Sequence, residues 1–304
     1  MKDVIIIGAG PAGMSAALYS VMGGASVKIV ESSMYGGQMA SGAVIENYPG
    51  VGRITGWELS ERMHSQLDSS GIDITYGTAD GIRRIPGGFA VSISGEESRS
   101  RTVIISCGVR RRRLSCPGEA ELLGRGVSYC AVCDGNFHRG GDVAVIGGGR
   151  SAVGEALYLS GICRWVYLIH RGGSLRDGDA AMSAVTERGN ISLCLESTVE
   201  KICGDGAVES IKIVGPDGKS EPNVSGVFIS IGSEPQNAAF RDIVELTDDG
   251  YIRTFGGGRT SERGIFAAGD ARDCELRQIV TAAADGAVAA TGVIDYIRGS
   301  RQET

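Results

Sequence analysis

Apolar residues in this chain fall into blocks of two periods, and the same order of blocks occurs twice. Val4-Ile5-Ile6-Ile7 is a β-branched run that predicts a buried strand from Asp3 to Ile7. A glycine turn follows, then an alanine-rich helix to about Met22, then a second strand, Ser26 to Val30, ending at Glu31. A similar unit recurs as a strand at Asp142 to Ile146, a helix from about Ser151 to Ser160, and a strand at Trp165 to Ile169 ending at His170. Alternating segments, Phe89 to Ser94 and Arg101 to Ile105, predict antiparallel strands attached to the first unit. Ser210 to Val214 and Val227 to Ile231 play that part in the second. Gly264 to Asp270 then leads into a long alanine-rich helix ending near Ile297. No third domain awaits that helix, so it is expected to return to the first unit.

The turns inside both units carry chemistry. In Gly8-x-Gly10-x-x-Gly13 the first glycine makes the tight turn, the second admits a pyrophosphate, and the third lets helix and strand pack closely. Glu31, at the end of the following strand, can accept hydrogen bonds from a ribose diol. Gly147-Gly148-Gly149-Arg150-Ser151-Ala152 repeats the logic with alanine at the third small position, which makes Gly147, Gly149 and Ser151 candidate nucleotide contacts. Its second strand ends in His170 and Arg171, with Arg176 five residues on, a set that matches a 2′-phosphate and favours NADPH over NADH. A solvated basic loop is the competing reading of those residues. The fold class these patterns predict is α/β, with two Rossmann-like, three-layer dinucleotide-binding domains, the second inserted into the first.

Composition narrows the classes. The chain has 304 residues and a formal net charge of −6, so neither nucleic acid nor an anionic membrane surface would attract it. Its 48 glycines show no collagen period and no Gly/Ser tracts, which fits many tight turns and close approaches to ligands. Val4 to Val27 is uncharged and long enough to cross a bilayer, but Gly8, Gly10, Pro11 and Gly13 interrupt it. Six of the eight cysteines are scattered singly, which is no secreted disulfide framework, so a cytoplasmic protein is expected. The other two form Cys130-x-x-Cys133, a spacing suited to an exchangeable disulfide. Asp134 places a carboxylate beside the second sulfur, where it could take and return a proton. Zinc is the main competing reading, with His138 nearby, although the chain has no second CxxC. Arg110 to Arg113 is short and lacks interleaved aromatics, so it reads as a solvated turn, and Cys107 reads as a packed small side chain.

The chain resembles the low-molecular-weight thioredoxin reductases over nearly its whole length. Both glycine turns carry the likeness, with Gly36-Gly37-Gln38, Glu46-Asn47-Tyr48-Pro49-Gly50, Gly124 through Gly135, Glu155 through Leu159, Gly264 through Asp270, and Arg277-Gln278. The resemblance implies an FAD domain from 1–113 and 241–304, and an NADPH domain from 114–240 that carries the redox pair. It implies FAD contacts at Gly8, Gly10, Gly13, Glu31, Gly37, Gln38, Asn47, Gly269, Asp270, Arg277 and Gln278. By the same likeness NADPH reduces the flavin, the flavin reduces Cys130–Cys133, and the dithiol reduces thioredoxin. Cys133 faces the flavin, Cys130 attacks the partner and Asp134 is the acid/base. The resemblance further implies rotation of the middle domain about 113–117 and 235–240, thioredoxin docking at Arg125 and Phe137, and a homodimer.

Three positions depart from the family pattern. Gly172 stands where the basic motif has a second arginine, Gly154 replaces an acid beside Glu155, and Arg150 replaces a polar neutral or acidic residue. A lost phosphate contact costs about 1–3 kcal/mol, which would weaken NADPH binding without abolishing it if Arg150 compensates. A donor other than NADPH, either NADH or reduced ferredoxin, therefore stays open, as does a flavoprotein redox sensor.

Overall fold

A computed structural model of the chain describes residues 1–40, 44–176 and 178–302. It divides into two compact units, one formed by residues 1–110 with 234–304 and the other by Arg111–Ser233. Each is described by itself.

In the first unit, strands Lys2–Ile7, Val27–Glu31, Ile74–Tyr76, the end of Glu96–Ile105, and Ile265–Ala267 form a parallel sheet. Ile7 registers with Val30 and with Ile105, and Ala267 with Ile105, so the strands end together at one edge. The start of Glu96–Ile105 continues into an antiparallel meander with Gly88–Ile93 and Ala79–Ile85. Because side chains alternate along a strand, Val4 and Ile6 pack with Ala12, Met14, Ala16 and Val293 on the helical face. Ile5 and Ile7 pack with Phe89, Val91, Phe240 and Ile252 on the other. The uncharged segment Val4 to Val27 is thus strand, turn, helix and strand, its helix Pro11–Met22 only 12 residues long.

The C-terminal helix, Ile279–Gln302, returns to this unit as expected. By length and composition its segment Ile279–Gly299 could cross a bilayer, at mean hydropathy 1.2. Here Ala282, Ala289, Ala290, Val293 and Ile297 are buried, and its small residues let it lie against the first helix.

The second unit holds the parallel order Val127–Ser128, Gly226–Ile229, Asp142–Ile146, Trp165–Ile169, Ile191–Cys194. Helices Arg150–Ser160 and Gly178–Thr186 cover one face through Val143, Val145, Leu159 and Leu168. The antiparallel strands Thr198–Cys203, Ser210–Gly215 and Gly218–Ser220 cover the other through Ile202, Ile211 and Ile213. The architecture is three-layer α/β twice over. The predicted strand 227–231 is therefore a central parallel strand, not part of the antiparallel set.

The unit boundaries lie at 110/111 and 233/234, against 113/114 and 240/241 read from the sequence. Residues 234–240 belong to the first unit because Phe240 is buried in its core and Asn237 donates to the carbonyls of Gly250 and Ala271. The arginine run begins in the short strand Val109–Arg111, which pairs with Ser233–Pro235. Arg111 also donates to the Tyr129 carbonyl at 3.2 Å.

Candidate functional site

The N-terminal turn sits at the strand ends of the first sheet. Gly8 has φ +104°, and a Cβ there would stand 2.5 Å from the Ser106 carbonyl oxygen, so only glycine fits. A Cβ on Gly13 would stand 1.7 Å from the Gly8 carbonyl oxygen, which is the close helix–strand approach read from the spacing. Gly10 differs: a Cβ there meets only Gly37 Cα, at 3.9 Å. No side chain caps the helix that starts at Pro11, leaving backbone amides directed at this open position. The turn thus has the free amides and clearance that a pyrophosphate requires.

The other predicted residues of this unit gather around it. The Ala9 amide donates to Glu31 Oε2 at 2.8 Å and the Ser33 amide to Oε1 at 3.0 Å, so Glu31 pins the turn while keeping lone pairs for a ribose diol. The Gly36 amide donates to the Ala9 carbonyl at 2.8 Å, which brings Gly37 against Gly10, and Gln38 Nε2 donates to the Val109 carbonyl at 2.7 Å. Gly269 lies over Ala12, carrying Asp270 to the start of the first helix. Asn47 Nδ2 donates to Gln278 Oε1 at 2.9 Å, and Arg277 stacks on Tyr251, 4.2 Å from the ring centroid. Arg277 Nε is buried with no hydrogen-bond partner, the kind of orphaned donor a bound polar group would satisfy. The sequence did not reveal the support for Gly269: its amide donates to Asp285, which is held by Arg272 through contacts of 2.6 and 2.7 Å.

In the second unit Gly147, Gly149, Ser151, His170, Arg171 and Arg176 also converge. The Arg176 amide donates to the Gly148 carbonyl at 2.8 Å, and its side-chain stem passes Gly149 at the uncapped start of the helix Arg150–Ser160. Arg171 and Arg176 are exposed. Burial, and then these two arginines, hold His170 below the ordinary imidazole value.

Cys130 and Cys133 form a disulfide with a Cα–Cα distance of 5.3 Å, in and just before the one-turn helix Ala131–Asp134. Cys130 is the residue before that helix, and its sulfur accepts from the Cys133 amide at 3.2 Å. Ser128 organises the site in a way no local motif signalled. Its hydroxyl donates to Asp134 Oδ2 at 2.5 Å and accepts from the Cys130 amide at 3.0 Å. Burial raises the Asp134 pKa above the ordinary carboxylate value, while the Ser128 hydrogen bond and His138 oppose the shift. His138 Nδ1 lies 3.2 Å from Ser225 Oγ, with its ring edge-on to Phe228. Among the described residues no group of three or more His, Cys, Asp or Glu side chains is placed to share a metal ion.

Glu155 is a second residue whose place the sequence did not reveal. On the helix Arg150–Ser160, it lies near Ser230 and the Ala131 backbone, its Oε2 is buried with no hydrogen-bond partner, and burial raises its pKa. Of the residues read as a docking patch, Arg125 donates to the Glu121 carbonyl and Phe137 is exposed.

Two nucleotide-type folds in one chain, one of them bearing an exchangeable disulfide, define a two-domain disulfide oxidoreductase. Residues 2–286 match the family model described as pyridine nucleotide-disulphide oxidoreductase. The chain is 40% identical to the thioredoxin reductase of Bacillus subtilis, over 99% of this chain and 96% of that one. The crystal structure of thioredoxin reductase from Streptococcus pyogenes superposes with a TM-score of 0.94 at 39% identity, covering 98% of this chain and 99% of the other. A ferredoxin-flavin thioredoxin reductase from Clostridium acetobutylicum gives 0.56 at 28% identity, covering 99% of each. The chain belongs to the pyridine nucleotide-disulphide oxidoreductase family, among its low-molecular-weight thioredoxin reductases.

Proposed function

We propose that this enzyme is a cytoplasmic, homodimeric thioredoxin-disulfide reductase that takes electrons from NADPH through FAD. The observation that carries the reading is the Cys130–Cys133 disulfide, built into a nucleotide-type unit beside a carboxylate that Ser128 holds in place. The N-terminal turn would hold FAD, its pyrophosphate at the amides beyond Gly10 and its ribose at Glu31. Gly13, Gly37, Gln38, Asn47, Gly269, Asp270, Arg277 and Gln278 would complete that site. Gly147, Gly149 and Ser151 would hold the NADPH pyrophosphate, with His170, Arg171 and Arg176 at the 2′-phosphate. Bound flavin supplies two-electron transfer between the nicotinamide and the disulfide.

In net terms NADPH, a proton and the disulfide become NADP⁺ and the Cys130, Cys133 dithiol. The hydrogen bond from the Cys133 amide to Cys130 Sγ stabilises a thiolate there, which makes Cys130 the attacking sulfur. Its attack breaks the thioredoxin disulfide, forms a mixed disulfide and releases one thiol. Cys133 then attacks the Cys130 sulfur, releases the second thiol and restores the Cys130–Cys133 bond. Asp134 moves the protons that these exchanges demand. The exposed Val132 and Phe137, with Arg125, offer thioredoxin an apolar patch edged by charge.

A role for Asp134 has a pH consequence. Its raised folded pKa means that its stabilising contribution is complete below the unfolded value and is lost as pH rises through the folded value. Asp134→Asn should flatten that part of the stability profile and slow thioredoxin reduction by about 10²-fold. A turnover rate close to the parent's across the pH range would remove Asp134 from the mechanism.

The donor has a second reading, because Gly172 leaves the basic loop one arginine short. Anaerobic mixing of the flavoprotein with NADPH, NADH and reduced ferredoxin separately tests it. NADPH is expected to bleach the flavin within seconds. Bleaching by ferredoxin alone would transfer the assignment to that donor. Absence of multiple turnover with thioredoxin would leave a redox sensor.

A further inference from the structure

The loop read as the 2′-phosphate site is joined by a carboxylate from the neighbouring strand end, which the sequence pattern did not place there. The His170 ring is lodged between two glycines: a Cβ on Gly148 would stand 2.3 Å from its Nδ1, and a Cβ on Gly172 2.8 Å from its Nε2. An arginine at 172 would therefore need the imidazole to move, so the missing arginine and the seated histidine are one arrangement. Glu196 adjoins this loop at Gly172 and Gly173. It follows the strand Ile191–Cys194, the sheet neighbour of the strand that ends beside His170. Its amide donates to the Gly172 carbonyl at 3.0 Å, and its backbone has φ +49°. Its Oε1 lies 3.6 Å from where a Cβ on Gly173 would be. Arg171, Arg176 and Glu196 are all exposed.

We propose that Glu196 is a specificity-determining residue that weakens binding of an adenosine 2′-phosphate and so narrows the preference of this enzyme for NADPH over NADH. The inference rests on the nucleotide reading given above. Like charge at the edge of a phosphate site opposes binding through Coulomb repulsion, strongly at low ionic strength and weakly once salt screens it. A 2′-hydroxyl carries no charge and escapes that penalty, so the effect falls on one nucleotide only. Arg171 and Arg176 attract the same phosphate, and the charge of Glu196 works against them.

The test is calorimetric titration of the oxidised flavoprotein with NADP⁺ and with NAD⁺ at low ionic strength, for the parent, Glu196→Gln and Glu196→Asp. Glu196→Gln should tighten NADP⁺ by about fivefold, change NAD⁺ by less than about twofold, and lose most of this difference at high salt. Glu196→Asp keeps the charge and, with a residue type that tolerates positive φ, should stay within about twofold of the parent for both. Unchanged NADP⁺ affinity in Glu196→Gln, or an equal gain for both nucleotides, would overturn the role of Glu196 alone. A parent that binds neither nucleotide would overturn the nucleotide reading of this turn, and the inference with it.

Discussion

Cys130→Ser is expected to leave reduction of the flavin by NADPH intact while lowering turnover with thioredoxin on the order of 10³-fold or more. The two sulfurs have different surroundings: Cys130 accepts the Cys133 amide, whereas Cys133 lies within the turn next to Asp134. If Cys130 is the attacking sulfur, Cys133→Ser should capture thioredoxin as a lasting mixed disulfide, because the resolving thiol is gone. Cys130→Ser should capture none. Non-reducing electrophoresis or intact mass distinguishes the two, and equal capture by both variants would reverse or void the assignment. Unfolding does not account for the expected loss, since a disulfide closing so short a loop contributes only about 2 kcal/mol in the chain-entropy model.

The second large effect concerns the N-terminal turn. Gly13→Val should destabilise the first unit by more than about 4 kcal/mol, because its first added carbon would lie 1.7 Å from the Gly8 carbonyl oxygen. Loss of flavin from that variant alone would not separate folding from binding. Gly10→Ala does separate them. Its added methyl meets no protein atom closer than 3.9 Å, so the apoprotein should keep its melting temperature within a few degrees. It should nevertheless lose flavin on gel filtration, since the methyl occupies the space opened for a pyrophosphate. Retention of FAD at parental stoichiometry by Gly10→Ala would contradict the placement of the cofactor.

What the sequence made legible is what local pattern encodes. The run Val4 to Ile7 is apolar at every position because alternate residues meet two different buried layers. The glycine spacings could be read because Gly8 and Gly13 answer steric demands within their own turn or one strand away, while Gly10 leaves room for a ligand. Asp134 was visible as the neighbour of Cys133. Its anchor Ser128 was not, since a serine six residues away acquires that role only when the turn folds. The same holds for Glu155, which reaches the dithiol turn from a different helix, and for Glu196, brought to the basic loop by the pairing of adjacent strands. The second compact-unit boundary falls earlier than the expected 240/241 for a related reason. Asn237 and Phe240 belong to the first unit through partners such as Gly250, Ile252 and Ala271, which no window around residue 240 contains.

The central claim is that electrons from NADPH leave this enzyme through Cys130 and Cys133 to a thioredoxin disulfide. A single anaerobic turnover measures it directly: flavoprotein, limiting NADPH and excess oxidised thioredoxin are mixed, and thiols newly formed on thioredoxin are counted. The balance of the reaction predicts about two thiols per NADPH consumed, and none when Cys130 is serine. NADPH consumption without thioredoxin thiols, or thiol formation that survives Cys130→Ser, would contradict it.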